Sequence, residues 1–347
     1  MIEFSSESFL PVIMNISDFD YDLPRELIAQ RPVNPRDSSR LLVVNRATGT
    51  LHHDVFRNIV RYLPEAALMV VNNSRVIPAR LLGIKERSGG EVELFLLRHH
   101  QGRVYEAMLR PLRRIRDEEP LVFPGGLKAR LIDRSRRLVE FDRDDVAAFL
   151  EKTGHIPLPP YIAREDDEAD RKDYQTVYAK HNGSVAAPTA GLHFTRPLIS
   201  ELKRAGHTFA EVTLHVNYGT FKPVEAQDVV SHPMHSEDYH IRPAALKLIR
   251  QASDSSRPVI AVGTTSCRVL ESYARYASVR GDTRLFLYPG ERFHIVNGLI
   301  TNFHLPRSTL FMLVCALGGL ELIRHAYEEA VRNKYRFYSY GDAMLIL

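Results

Sequence analysis

ARLLGIKERSGGEVELFLLR, residues 79–98, sets two apolar-rich runs on either side of Ser88, Gly89 and Gly90. Strand side chains alternate between faces and glycine suits a tight turn, so the stretch reads as two strands joined by a turn. The same grammar continues in VYEAMLRP, EPLVFPGG, LKARLIDR and RRLVEFD, up to about Asp142. This middle region is expected to be an all-β module, a small barrel.

On either side the rhythm differs. Before the module, DLPRELIAQR has a proline near a helix start, RLLVV is a short apolar run and FRNIVRYL returns to helical spacing. After it, PLISELKRAG, FAEVTLHV, AALKLIRQAS, PVIAVG, CRVLESYARYA and RLFLYPG alternate helix and strand character and lead to a long C-terminal helix. The predicted fold is α/β: a discontinuous, barrel-like main body from residues 1–75 and 159–347, with a small β-barrel domain, residues 76–158, inserted into it.

Composition bounds the function. A chain of 347 residues with 44% hydrophobic content can bury a large core, and 25% charge with no low-complexity tract or repeat excludes disorder as the default. Cys267 and Cys315 sit in apolar surroundings and read as buried thiols in a reducing cytoplasm, without disulfide or cysteine metal site. FLPVIM, near the start, lacks the basic flank and cleavage site of a signal peptide. TLFMLVCALGGLELI is shorter than the roughly 20 residues of a membrane span and reads as a core helix. A cytoplasmic protein with no membrane partner is expected.

A net charge of +4 is too small to name a partner. Its distribution says more. Arg110, Arg113, Arg114 and Arg116 lie in the β module among further arginines that outnumber nearby acids. Such a cluster is ordinarily a solvated face; its functional reading is a surface that tracks phosphates, for which arginine is well shaped.

Five stretches are too polar and glycine-rich to be packing segments: SVAAPTAGLHF (184–194), TLHVNYGTFKPV (213–224), VGTTSCRVLES (262–272), LITNFHLPRSTLFML (299–313) and YRFYSYGDAMLIL (335–347). Gly219 and Thr220 end a strand where backbone can approach a ligand. Thr264, Thr265 and Ser266 follow Gly263 at a predicted helix start, a place suited to a carboxylate or phosphate. Taken singly, each is more often a cap or a hydrogen-bonded structural group.

Together with SSRLL (38–42), NNSRVIPARL (72–81) and YQTVYA (174–179), these motifs resemble the S-adenosylmethionine:tRNA ribosyltransferase-isomerase family of queuosine biosynthesis, in the family's order from about residue 14 to the C-terminus. The residues before Met14 exceed the family's usual start, which makes Met14 a candidate initiator. The resemblance implies transfer and isomerisation of the ribosyl part of S-adenosylmethionine onto 7-aminomethyl-7-deazaguanine at the tRNA wobble position, giving epoxyqueuosine, adenine and methionine. It implies no prosthetic group and no metal; S-adenosylmethionine is a co-substrate, tRNA the partner, and a monomer is expected.

A sulfonium acidifies the ribose C5′ protons beside it, so a positioned base is needed, as is a proton donor for departing adenine. His193, His235, Glu237 and His304 are the candidates, with acid and base unassigned. For the donor, Thr264, Thr265 and Ser266 are expected to take the methionine carboxylate, with Tyr340 and Asp342 toward its positive groups. Arg40, Asn73, Thr189, Gly191, Gly219, Thr220 and Asn302 are candidate substrate-pocket residues. Competing readings are a methyltransferase, for which no G-x-G-x-x-G turn is found, a non-catalytic RNA-binding protein, and a sugar-processing α/β barrel.

Overall fold

The computed structural model describes residues 14–217, 229 and 232–347. The chain first lays down β1 (Arg40–Val44), β2 (Leu51–Val55), β3 (Leu68–Asn72) and β4 (Ser74–Val76). Six strands follow: β5 (Arg80–Lys85), β6 (Glu91–Gln101), β7 (Val104–Arg110), β8 (Leu121–Val122), β9 (Lys128–Asp133) and β10 (Leu138–Phe141). The remainder adds β11 (His181–Ser184), β12 (Thr208–Leu214), β13 (Glu237–Ile241), β14 (Val259–Val262), β15 (Arg280–Thr283), β16 (Gly298–Asn302) and β17 (Ala343–Ile346). The helices are α1 (Val146–Thr153), α2 (Asp170–Asp173), α3 (Arg196–Arg204), α4 (Pro243–Asp254), α5 (Thr264–Tyr276), α6 (Thr309–Gly318) and α7 (Leu320–Arg332).

Nine strands form one mixed sheet in the order β15-β13-β12-β3-β14-β16-β17-β1-β2. Its centre is parallel, β12 with β3 and β3 with β14. LMVVN and VIAV are buried along their whole length, as strands covered on both faces must be. Alternation divides β3 between two cores: Leu68 and Val70 face the residues of α4 to α7, while Met69 and Val71 pack with Phe56, Ile59, Leu198 and Leu202. The barrel-like main body expected from sequence is thus corrected among the described residues to a sheet with two ends, β15 and β2. Local periodicity specifies strands, but not whether the outermost two meet.

β5 to β10 close a separate antiparallel barrel, β10-β7-β6-β5-β8-β9, with a core of its own that α1 covers through Val146, Phe149 and Leu150. At its neck, Arg80 and His155 exchange backbone hydrogen bonds of 2.8 and 3.3 Å. Beside the neck, β4 pairs in parallel with β11.

Two helix readings change. DLPRELIAQR makes only a 3-10 turn at Arg25–Leu27, after which Ile28 bridges to Phe337. TLFMLVCALGGLELI is two helices, bent by 116° between α6 and α7. Gly319 makes the corner at φ +84°, and a side chain on Gly318 would come within 2.4 Å of Ile323. Among the described residues no single helix is long and apolar enough to cross a membrane. Both cysteines are buried.

Candidate active site

All five polar loop motifs meet at one cavity of about 70 Å³. Ala186–Ala190 come from the first motif, Val216 from the second, Gly263–Thr265 from the third, Thr301, Asn302 and His304 from the fourth, and Tyr338 and Ser339 from the last. The place follows from topology: β14 and β16 run parallel and end here, and open α/β sheets bind ligands beyond the carboxyl ends of their strands. Gly263, at φ +87°, turns the chain from β14 into α5, so the helix begins with its free N–H groups at the cavity. Asn72 steadies this start by donating to Thr265 Oγ1 at 3.2 Å.

Asn302 is buried and its carboxamide has one orientation. Nδ2 donates to the Tyr338 carbonyl at 3.0 Å, an oxygen that can only accept, and reaches His193 Nε2 at 3.1 Å. His193 Nε2 is therefore an acceptor, and its Nδ1–H donates to Ser39 Oγ at 2.8 Å. Burial, with the charges of Arg336 and Arg36, pushes the His193 pKa down to about 3. Both ring nitrogens of His193, expected as an acid or base, are engaged inside the protein.

His304 lines the cavity. The Thr301 hydroxyl lies 2.7 Å from His304 Nε2 and 3.2 Å from the Asn302 carbonyl, and its one hydrogen can serve either. Nδ1 makes no hydrogen bond among the described residues, and it is the unprotonated nitrogen when Nε2–H donates to Thr301 Oγ1. Burial pushes the pKa down to about 3, and the ring is neutral at physiological pH. The Tyr327 hydroxyl fixes its backbone, accepting from His304 N at 3.0 Å.

Thr264, Thr265 and Thr189 line the same cavity; Ser266 is fully buried one position further along α5 and does not. Gly191 is a packing glycine, since a side chain there would meet the Tyr178 hydroxyl at 2.2 Å. Tyr340 and Asp342, expected at the donor, lie off the lining of this cavity. Tyr340 donates to Asp170 at 2.8 Å, while Asp170 holds Arg164 through two contacts of 2.7 Å. Asp342 accepts backbone N–H groups of Arg40 and Arg336 at 2.9 and 2.8 Å and so closes the C-terminal turn.

Four more expected residues stand elsewhere. Glu237 forms a buried ion pair with Arg268 and accepts from Asn217 N at 3.1 Å, which commits both carboxylate oxygens. His235 is exposed ahead of β13. Arg40 caps the Asn333 carbonyl at 2.6 Å with its guanidinium over the Tyr335 ring. Asn73 is occupied by Glu211 at 3.0 Å and Thr213 at 2.7 Å. Gly219 and Thr220 lie outside the described residues.

Sequence reasoning missed the aromatic wall of Tyr161 and Tyr338, and Ser339 beside it. Tyr338 stood within a quoted motif, but its backbone signal, φ +70° in a non-glycine residue, is visible only in three dimensions. A larger cavity of about 570 Å³ was also missed, because it arises between the barrel and the sheet. His99 and Tyr105 of the barrel face Asn182, His215, Asn217 and Asp238 across it. Val216 lines the small cavity while its neighbours His215 and Asn217 line the large one, so a single strand end separates them.

Arg110, Arg113, Arg114 and Arg116 are all exposed on the barrel, around a turn anchored by buried Ile115. Arg134 holds that turn by donating to the carbonyls of Leu112 at 3.0 Å and Ile115 at 2.6 Å. Arg110 stands 3.6 Å from Glu93.

Residues 16–346 match the family described as queuosine biosynthesis protein. An S-adenosylmethionine:tRNA ribosyltransferase-isomerase of Carboxydothermus hydrogenoformans is 52% identical over 341 residues, covering 96% of this chain and 100% of its own. The protein of that name from Sulfurihydrogenibium is 46% identical over 336 residues with the same coverage. The crystal structure of an S-adenosylmethionine tRNA ribosyltransferase from Thermotoga maritima is similar with a TM-score of 0.56 and 36% identity, over 95% of this chain and 100% of that one.

Proposed function

From the premise that this chain belongs to the queuosine biosynthesis protein family and is an S-adenosylmethionine:tRNA ribosyltransferase-isomerase, we propose that the reaction takes place where its five loop motifs meet. The enzyme moves and isomerises the ribosyl group of S-adenosylmethionine onto 7-aminomethyl-7-deazaguanine at the tRNA wobble position. Epoxyqueuosine forms, and adenine and methionine leave. The convergence of all five motifs on one cavity is the observation that carries this placement.

His304 is the base of this reading. With Nε2–H on Thr301 Oγ1, its neutral ring leaves Nδ1 unprotonated and without a partner among the described residues, so it can take a C5′ proton made acidic by the adjacent sulfonium. The electron pair left on carbon is stabilised by the positive sulfur and then drives cleavage of the ribose–adenine bond, adenine leaving as it gains a proton. The amine bonds to a ribose carbon as it loses a proton, and the C–S bond breaks with its electron pair going to sulfur, which frees methionine. No step calls on a prosthetic group. Thr264 and Thr265, at the α5 N-terminus, suit the methionine carboxylate.

The tRNA meets the barrel at Arg110, Arg113, Arg114 and Arg116, which position its phosphates. The cavity of about 570 Å³ is within the usual range for small-molecule sites of ~300–1,000 Å³ and offers rings and polar groups to an unstacked nucleoside. Residues 1–75 and 159–347 act as the catalytic body and 76–158 as the inserted tRNA-binding domain, in a monomeric cytoplasmic enzyme. The separate barrel core and the narrow neck at Arg80 and His155 support that division.

The test is to incubate the protein with S-adenosylmethionine and tRNA bearing the aminomethyl precursor. Release of free adenine and methionine is expected. S-adenosylhomocysteine would mark methyl transfer and overturn the reading.

A further inference from the structure

Asn302, in the lining of the small cavity, carries a polar atom without a partner among the described residues. Asn302 is 2% exposed, and its Oδ1 takes no hydrogen bond among the described residues. A buried amide oxygen left unsatisfied costs roughly 1–3 kcal/mol, so one that persists points to a ligand that completes it. Rotation of the carboxamide offers no relief. It would set Oδ1 against the Tyr338 carbonyl, which cannot donate, and would move Nδ2 to the position that has no partner among the described residues.

The surroundings define what that ligand must be. Among the described residues no lining side chain is Asp, Glu, Lys or Arg, and His304 is neutral, so this lining suits a group of zero net charge. On one side the α5 N-terminus presents donors at Thr264 and Thr265, the Gly263 N–H being spent on the Ile300 carbonyl at 2.8 Å, and these fit a carboxylate. On another stands the Asn302 acceptor, with the tyrosine faces of Tyr161 and Tyr338 in the same wall, which fit an ammonium. About 70 Å³ is a fraction of the ~300 Å³ at the lower end of ligand sites, so only a fragment of the donor enters.

We infer that this cavity is a subsite for a zwitterionic α-amino-acid head, the methionine end of the donor, in which Asn302 Oδ1 accepts the ammonium and His193, braced by Ser39, is the positioning residue that keeps Oδ1 turned inward. The inference rests on the placement of the reaction proposed above. It gives the buried histidine a role that needs no titration: its Nε2 acts only as an acceptor for Asn302.

Binding to the full chain, measured by calorimetry with L-methionine, 4-methylthiobutanoate (methionine without its amino group) and adenine, tests it. Loss of a hydrogen bond to a charged group corresponds to about 10- to 100-fold in affinity, and that is the loss expected for methionine in Asn302→Leu, with adenine binding unchanged. On the unaltered protein, 4-methylthiobutanoate is expected to bind weaker than methionine by a similar factor, and Asn302→Leu to cost it nothing further. His193→Leu is expected to weaken methionine about tenfold, with recovery in His193→Gln, whose carbonyl can accept from Asn302. If Asn302→Leu does not fold, the 4-methylthiobutanoate comparison and the two His193 variants still decide. Unchanged methionine affinity in these variants, equal binding of the two methionine analogues, or a selective loss of adenine would overturn the subsite. Normal release of adenine and methionine from the unaltered enzyme would meanwhile leave the broader functional reading standing.

Discussion

Tyr161 stacks on Tyr338 with ring centroids 4.3 Å apart and planes 20° from parallel, and the Tyr161 hydroxyl meets Ser339 Oγ at 2.6 Å. This contact joins the segment returning from the barrel to the C-terminal turn, and both rings line the small cavity. The shape of the site therefore depends on two parts of the chain that no local pattern links. Tyr161→Phe, which keeps the ring, should leave the donor KM within about threefold. Tyr161→Ala loses a ring pair worth about 0.5–1.5 kcal/mol and should raise it several-fold more. Steady-state kinetics at saturating tRNA separate the two outcomes, and equal KM values for both variants would remove the stack from donor binding.

His304→Gln should lower turnover by about 10² to 10⁴ while leaving donor and tRNA affinity near normal, if Nδ1 removes the C5′ proton. Because its pKa is held at about 3, the acid limb of kcat/KM should fall below pH 5. A limb centred near 6.5 that persists in His304→Gln would assign the proton to another group.

Stability should also follow these two rings. His193 and His304 bind a proton near pH 6.5 when unfolded but only near 3 when folded. The folded state thus carries fewer protons between those values, and its stability, complete above 6.5, is lost as pH falls. Each ring is worth about 1.4 kcal/mol per pH unit, or about 2 kcal/mol by pH 5. Urea unfolding at pH 7.5 and 5.0 reads the sum. His193→Gln should remove its own share of the difference, and an unchanged difference would mean that the ring is protonated without cost.

Much of this was legible in the sequence, for physical reasons. The barrel strands announce themselves because alternation and turn glycines are local properties, as in residues 79–98. The loop motifs were found because polar, glycine-rich segments after apolar strands have no packing role. Convergence was not legible: His304 and Asn302 line the cavity, whereas Tyr340 and Asp342, equally polar and also in a motif, are spent on Asp170 and on backbone N–H groups. A side chain's partner lies far away in the chain, so residue type cannot tell a ligand from a brace. The break at Gly319 escaped because an unbroken apolar run reads the same whether its helix is straight or folded back.

The bracing role of Tyr340 is testable apart from catalysis. Its hydroxyl is buried against Asp170, whose carboxylate also holds Arg164. Tyr340→Phe removes one hydrogen bond to a charged, buried group and should destabilise the fold by about 1.5–3 kcal/mol, with the donor KM unchanged. Chemical denaturation and kinetics on the same preparation provide the check. A large rise in KM without loss of stability would place Tyr340 at the donor site.

The arginine turn gives the last prediction. Arg113, Arg114 and Arg116 pair with no acid among the described residues, while nearby Arg130 is held by Glu118 at 2.9 Å and Glu140 at 2.6 Å. Charges already neutralised by protein contribute little to a polyanion, so the turn and not the whole basic barrel should carry tRNA affinity. Each phosphate contact adds about 0.7–0.9 to the slope of log affinity against log salt. Replacing Arg110, Arg113, Arg114 and Arg116 together should therefore flatten that slope by about 2 to 3, with Arg110 counting least because Glu93 stands beside it. Arg130→Gln should change it by less than about 0.5, and methionine binding should be the same in both. Filter binding of tRNA across a salt series measures the slopes; a quadruple variant that keeps the slope of the unaltered protein would place the phosphate contacts on another face.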